Sequence, residues 1–318
     1  MKSFVWIEPG DVQSALTAGA QKGSLYKAGG VDVADRMKEH LDEPQQLVNL
    51  RGLRSELEFV KLEGSTLRLG PLVTLAVLAD DEHVRKAAPA LAEAAAAAAT
   101  PQIRNAATLG GNLAQRPRCW YFRREDFHCR KKGGSECFAI GGQNEMHAVF
   151  DNELCAIVHP SATATALTAL SASLVLKGSS GERTVGIDDF FLPPEADVLR
   201  ENVLRPGELI VEIRVPAGAA TAYVKLMEKQ SFDWPLAEAA VRIGQDARVV
   251  LGAAAPVPWR ESKAEALVRG QSRIDEALAA QAAAAAVEGA KPLQHNVYKV
   301  ALLQAAVKRA LLQAGGAS

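Results

Sequence analysis

Four cysteines, Cys119, Cys129, Cys137 and Cys155, lie in one stretch of the chain with the spacing C-x9-C-x7-C-x17-C, and there are no others. Four thiolates in one segment can bind zinc, bind an iron–sulfur cluster or form two disulfides. Structural zinc sites usually draw on closely spaced cysteine pairs, and this segment has none. Disulfides belong to oxidising compartments. The N-terminus, Met1 to Pro9, has neither a long apolar run nor a small-residue cleavage site, so no export signal is expected. Iron–sulfur clusters accept cysteines from loops of varied spacing. The pattern leans toward a cluster and leaves zinc and disulfides open.

Charge adds to this. Arg116, Arg118, Arg123, Arg124, Arg130, Lys131 and Lys132 stand in the same segment against only Glu125 and Asp126. Such a surplus would offset the negative charge of a thiolate-ligated cluster and raise its potential. A solvated basic loop, or an interface with an acidic partner, would read the same way. His128 and His147 flank the cysteines and are expected to be solvent-facing.

Two glycine pairs form a second constellation: Ala28-Gly29-Gly30-Val31-Asp32-Val33 and Thr108-Leu109-Gly110-Gly111-Asn112-Leu113. Glycine lets backbone N–H groups approach a phosphate, and a helix beginning just after it adds partial positive charge. Neither is the G-x-G-x-x-G of a Rossmann unit. Together they suggest one diphosphate clamped between two lobes.

The elements that would position these motifs follow from patterning. Strand, helix, strand, helix, strand over 4–8, 11–22, 25–28, 31–39 and 46–49 predict a small α/β unit. Residues 59–63 and 66–70 read as a hairpin. The alanine-rich run 89–99 reads as a helix stopped by Thr100-Pro101. Residues 114–152 read as a long functional loop held by something other than a core. A helix over 163–170 precedes strands over 172–177, 183–187 and 208–215. Pro216-Ala217-Gly218 then marks a boundary. Strands over 222–227, 237–243 and 249–253 come before helices over 262–268, 273–285 and 296–312, an α+β layer. The 318 residues are 48% hydrophobic and 23% charged, with a net charge of −1 and 5% aromatics, which disfavours nucleic-acid binding. No apolar run is long enough for membrane insertion.

Ala28-Gly29-Gly30, the block Arg104 to Leu113, and Leu204-Arg205-Pro206-Gly207-Glu208-Leu209-Ile210 resemble the FAD-binding subunit of the xanthine dehydrogenase and aldehyde oxidoreductase family of molybdenum hydroxylases. The resemblance runs nearly end to end. It implies an α+β fold: a two-lobed α/β FAD-binding domain (PCMH-type) over 1–217, with lobes at about 1–55 and 56–217, an iron–sulfur insertion over 114–158, and a C-terminal domain over 218–318 with a three-stranded sheet and helix bundle. It implies that Tyr26, Lys27, Ala28, Gly29, Gly30, Val31, Asp32, Val33 and Ala34 bind the FAD diphosphate, mainly through the backbone N–H groups of 27–31. Thr108, Gly111, Asn112 and Ser161 would hold the other side, with Ile210 against the flavin and Lys225 a further contact. The cysteine segment, ending in His159-Pro160-Ser161-Ala162, resembles the subgroup with a [4Fe–4S] cluster on Cys119, Cys129, Cys137 and Cys155. One departure is Ala162, where the family usually has an aspartate that would hydrogen-bond the flavin.

The function implied is an electron-transfer subunit without catalytic side chains of its own. Its partners would be a large molybdenum-cofactor subunit, a small [2Fe–2S] subunit and an external electron acceptor. It would be cytoplasmic, or periplasmic by co-export with a signal-bearing partner. The alternative is a free-standing FAD-dependent oxidase with a zinc-stabilised loop, although about 100 residues after Gly218 are few for the substrate cap such an enzyme needs.

Overall fold

The computed structural model describes residues 1–229, 232–271 and 273–316. Three sheets organise them. The first is parallel, with Gln46–Asn49 between Val5–Ile7 and Ser24–Lys27. Parallel neighbours need crossovers, supplied by the helices Val12–Gly19 and Val31–Lys38. Asp11 caps the first helix by accepting from Ser14 N at 2.7 Å. The expected β-α-β-α-β order is present.

The second sheet is antiparallel, in the order Val60–Glu63, Thr66–Leu69, Leu209–Pro216, Ser173–Gly178, Gly181–Gly186. Its core includes the helices Pro89–Ala97 and Ala162–Ala169. The second of these is buried at every position, which explains its alanine and threonine content: small side chains allow close approach on all sides. Thr100-Pro101 does more than stop the alanine helix. Thr100 caps a new helix, Pro101–Ala106, by accepting from Ile103 N, with proline at its favoured first position.

The third sheet is antiparallel and has four strands where three were expected. The extra strand, Trp259–Arg260, is two residues long and too short to give a period-two signal. The helices Ser262–Val268, Glu276–Ala285 and Tyr298–Ala314 cover one face. Along the strand Ala237–Arg242, Ala237, Ala239 and Val241 join that core. Glu238 and Ala240 alternate to the other face, where Ala240 belongs to the core of the second sheet.

Residues 114–158 contain only short helical turns, Trp120–Arg123, Arg130–Lys132 and Phe138–Gly141. The segment nevertheless has a small aromatic core of its own, contrary to expectation. Tyr121 packs on Phe127 at 5.0 Å, Phe127 on Phe138 at 5.1 Å, and Trp120 on His147 at 4.8 Å between ring centroids.

Candidate functional site

A cavity of about 620 Å³ opens between the parallel unit, the five-stranded sheet and the C-terminal sheet. Both glycine motifs reach it. Gly30 has φ +84°, the left-handed conformation that glycine tolerates, and starts the helix Val31–Lys38. The first-turn N–H groups of Val31, Asp32 and Val33 have no intrahelical acceptor and lie on the cavity wall. A Cβ on Gly29 would collide with the Ala106 carbonyl, so the first motif packs directly on the backbone just before the second.

The second motif is built differently from a free loop. Thr108 caps the helix Leu109–Leu113 and accepts from Gly111 N at 3.2 Å. That N–H is therefore taken. Gly110 N donates to Pro71 O at 2.9 Å. Thr108, Gly110, Gly111 and Asn112 line the cavity. Ser161 donates to Asn112 Oδ1 at 2.6 Å and Thr163 does so at 2.7 Å, fixing the amide orientation.

Of the anticipated cofactor residues, Tyr26, Ala28, Gly29, Gly30, Val31, Asp32, Val33, Thr108, Gly111, Asn112, Ile210 and Lys225 line this one cavity. Lys27, Ala34 and Ser161 do not. The Lys27 ammonium donates to Asn49 Oδ1 at 3.3 Å. Ser161 is fully buried and acts through Asn112 and as the cap of Ala162–Ala169. Lys225 donates to Ala97 O at 2.9 Å and to Asp233 O at 2.7 Å, so it ties the 232–235 turn to the alanine helix.

Sequence reasoning missed Arg36, Arg118 and Glu238, which also line the cavity, as do Phe232 and Trp234 from the turn before the strand Ala237–Arg242. Glu238 gave one signal: a single acid among Ala237, Ala239, Ala240 and Val241 of its strand.

The basic residues of the cysteine segment are largely taken up by acids elsewhere. Arg123, 8% exposed, reaches Asp32 at 2.7 Å and Asp35 at 3.2 Å. Arg118 contacts the same two acids at 3.1 and 3.0 Å. Arg116 pairs with Glu201 at 3.0 Å, as does the buried Lys131, also at 3.0 Å. These cations tether the segment to the helix Val31–Lys38 and to the 198–201 loop rather than forming a free basic surface. Burial raises the Asp32 carboxyl pKa, but Arg36, Arg123 and Arg118 outweigh it and leave the value below the usual range.

All four cysteines line a second, small cavity of about 10 Å³ with Phe122, Phe138 and Ile157. Burial pushes the Cys119 thiol up to about 12. Cys137 is drawn down to about 6 by a hydrogen bond with Cys155, whose own value rises for the same reason. His147 corrects the expectation of a solvent-facing residue: it is buried, and its Nε2 lies 3.2 Å from Cys119 Sγ. The aromatic contacts around it enclose the ring. His128 is exposed, as expected. Among the described residues, no three His, Cys, Asp or Glu side chains form a group that could hold a metal ion.

Residues 2–218 match the family described as the FAD binding domain in molybdopterin dehydrogenase, and residues 222–314 match the CO dehydrogenase flavoprotein C-terminal domain. The chain is 34% identical over 323 residues to the aldehyde oxidoreductase FAD-binding subunit PaoB of Escherichia coli K12, covering 99% of each. It is 32% identical to the carbon monoxide dehydrogenase medium chain of Hydrogenophaga pseudoflava, covering 97% of this chain and 96% of that one. A solved carbon monoxide dehydrogenase structure from the same organism superposes with a TM-score of 0.75 at 29% identity, over 99% of this chain and 98% of that chain. Quinoline 2-oxidoreductase of Pseudomonas putida 86 shares the fold, with a TM-score of 0.76 at 24% identity and 99% coverage of both chains. The chain therefore belongs to the family of FAD binding domains in molybdopterin dehydrogenases.

Proposed function

We propose that this protein is the FAD-carrying electron-transfer subunit of a molybdenum hydroxylase complex of the aldehyde oxidoreductase type. The carrying observation is the single cavity on which both glycine motifs, Ile210 and Lys225 converge. FAD, when bound, supplies redox chemistry able to link one- and two-electron carriers. The chain's own residues bind and orient it. The glycine turn and first-turn N–H groups of Val31–Lys38 hold the diphosphate. Thr108, Gly111 and the Asn112 amide, oriented by Ser161, face it from the other wall. The FAD domain ends at 217 and the C-terminal domain closes the cavity with Lys225 and Trp234.

The partners in this reading are a large subunit with the molybdenum cofactor, a small [2Fe–2S] subunit that delivers electrons, and an external acceptor. The compartment follows from the partner subunits; among the described residues no helix is long and apolar enough to cross a membrane. Family membership tells against the free-standing oxidase.

The finer part of the proposal is a [4Fe–4S] cluster on Cys119, Cys129, Cys137 and Cys155. Its support is that the four thiols face one cavity. A four-iron cubane spreads its thiolates wider than the tetrahedron around one zinc, so it suits a thiol set that is not closed around a single ion.

Anaerobic purification with flavin, iron and sulfide analysis tests both parts. Expected are one FAD and, beyond the irons of the small [2Fe–2S] subunit, about four irons per chain, co-purifying with a larger and a smaller partner chain. Flavin with no iron or sulfide beyond that of the [2Fe–2S] subunit removes the cluster and leaves the FAD role. A well-assembled complex without flavin removes the central reading. Cys137→Ser is expected to remove about four irons per chain while FAD and the [2Fe–2S] iron remain, read by the same analysis.

A further inference from the structure

We infer that Glu238 is a cofactor-binding residue, its carboxyl group hydrogen-bonding a polar atom of the flavin held in the large cavity. The inference rests on the FAD reading above.

Glu238 is 2% exposed, in the middle strand of the C-terminal sheet, between Lys225 on one neighbour and Gly252 on the other. Its side chain leans across Gly252, where an added Cβ would collide with the carboxylate and with Thr165 Oγ1. The sheet therefore leaves a gap at residue 252 that admits this acid. Few groups satisfy it. Thr165 Oγ1 gives a long bond to Oε2 at 3.4 Å. Lys225, its cross-strand neighbour, donates instead to two carbonyls. Lys299 donates to Met146 O, His147 O and Ala253 O. The buried Tyr223 hydroxyl, which has no other partner, also lies against the carboxyl and works to lower its pKa; among the described residues Glu238 has no ion pair.

A buried acid without a charged partner is costly to the fold, and alanine or valine fills the other buried positions of the strand. Glu238 lines the cavity together with Lys225 and Ile210, the residues proposed for the flavin, while Ala162 on that wall offers no polar group. Burial pushes the Glu238 carboxyl pKa up, which favours a neutral acid able to donate its proton in a hydrogen bond. A polar atom of the cofactor would add a hydrogen bond to the carboxyl beside those that Thr165 and Tyr223 offer.

The test uses the assembled complex and begins with wild-type FAD content; wild type without FAD overturns both this inference and the reading beneath it. With FAD present, E238A and E238L are each expected to weaken FAD binding by about tenfold or more. E238Q, which keeps shape and hydrogen bonding, should stay within about threefold but shift the flavin absorption bands. FAD held by E238A or E238L with wild-type Kd, whatever happens to Tm, overturns the inference and leaves the FAD reading standing. Should neither apolar variant assemble, E238Q decides: flavin bands coincident with wild type overturn it.

Discussion

Asp32 is an acid in the first turn of a helix proposed to bind a diphosphate, where a free carboxylate would repel the ligand. Arg118 and Arg123 from the cysteine segment and Arg36 from its own helix neutralise it. Removing one partner of a buried pair leaves a charge unmet. Arg123→Met is therefore expected to destabilise the protein by about 3 kcal/mol in urea unfolding, whereas Arg124→Ala, which breaks an exposed pair with Asp126, should cost under about 1 kcal/mol. His159 supplies a pH effect. It is fully buried, and burial lowers its pKa to about 3 from an ordinary value of 6.5. Between those values the unfolded chain binds more protons than the folded one, so stability is complete above about 6.5 and falls as pH drops toward 3, by at most about 1.4 kcal/mol per pH unit. His159→Gln should remove that slope, compared by urea unfolding between pH 7 and 5.

At the scale of elements, the first glycine turn was legible because Ala-Gly-Gly before an amphipathic helix states its geometry locally. The second was only half legible. Gly-Gly suggested free N–H groups, but Thr108 caps them into a helical turn, so its contribution comes through side chains oriented by Ser161. The close packing of the first turn on Ala106 has a direct consequence. Gly29→Ala would drive a Cβ into the Ala106 carbonyl and part the two walls. At least a tenfold fall in retained FAD is expected, measured as the flavin-to-protein absorbance ratio. Thr108→Val should cost about 1 kcal/mol through loss of the cap, read from Tm, and lower FAD retention as well.

At the scale of the whole molecule, the cavity has walls from three sheets, so no single part should hold the cofactor. A chain ending at Gly218 loses Lys225, Trp234 and Glu238 and exposes the alanine-rich core beneath them; it is expected to bind no FAD in equilibrium dialysis. By itself the sequence determined the β-α-β-α-β order of the first unit, the cysteine grouping and the two glycine turns. Those depend on local periodicity, capping and spacing, which a chain displays along its length. Tertiary structure alone decided that Arg118 and Arg123 reach Asp32, that His147 is enclosed beside Cys119, and that Glu238 faces the cavity across Gly252. Each joins residues far apart in the chain, or depends on which face of a strand meets which neighbour, and packing rather than local pattern sets those choices.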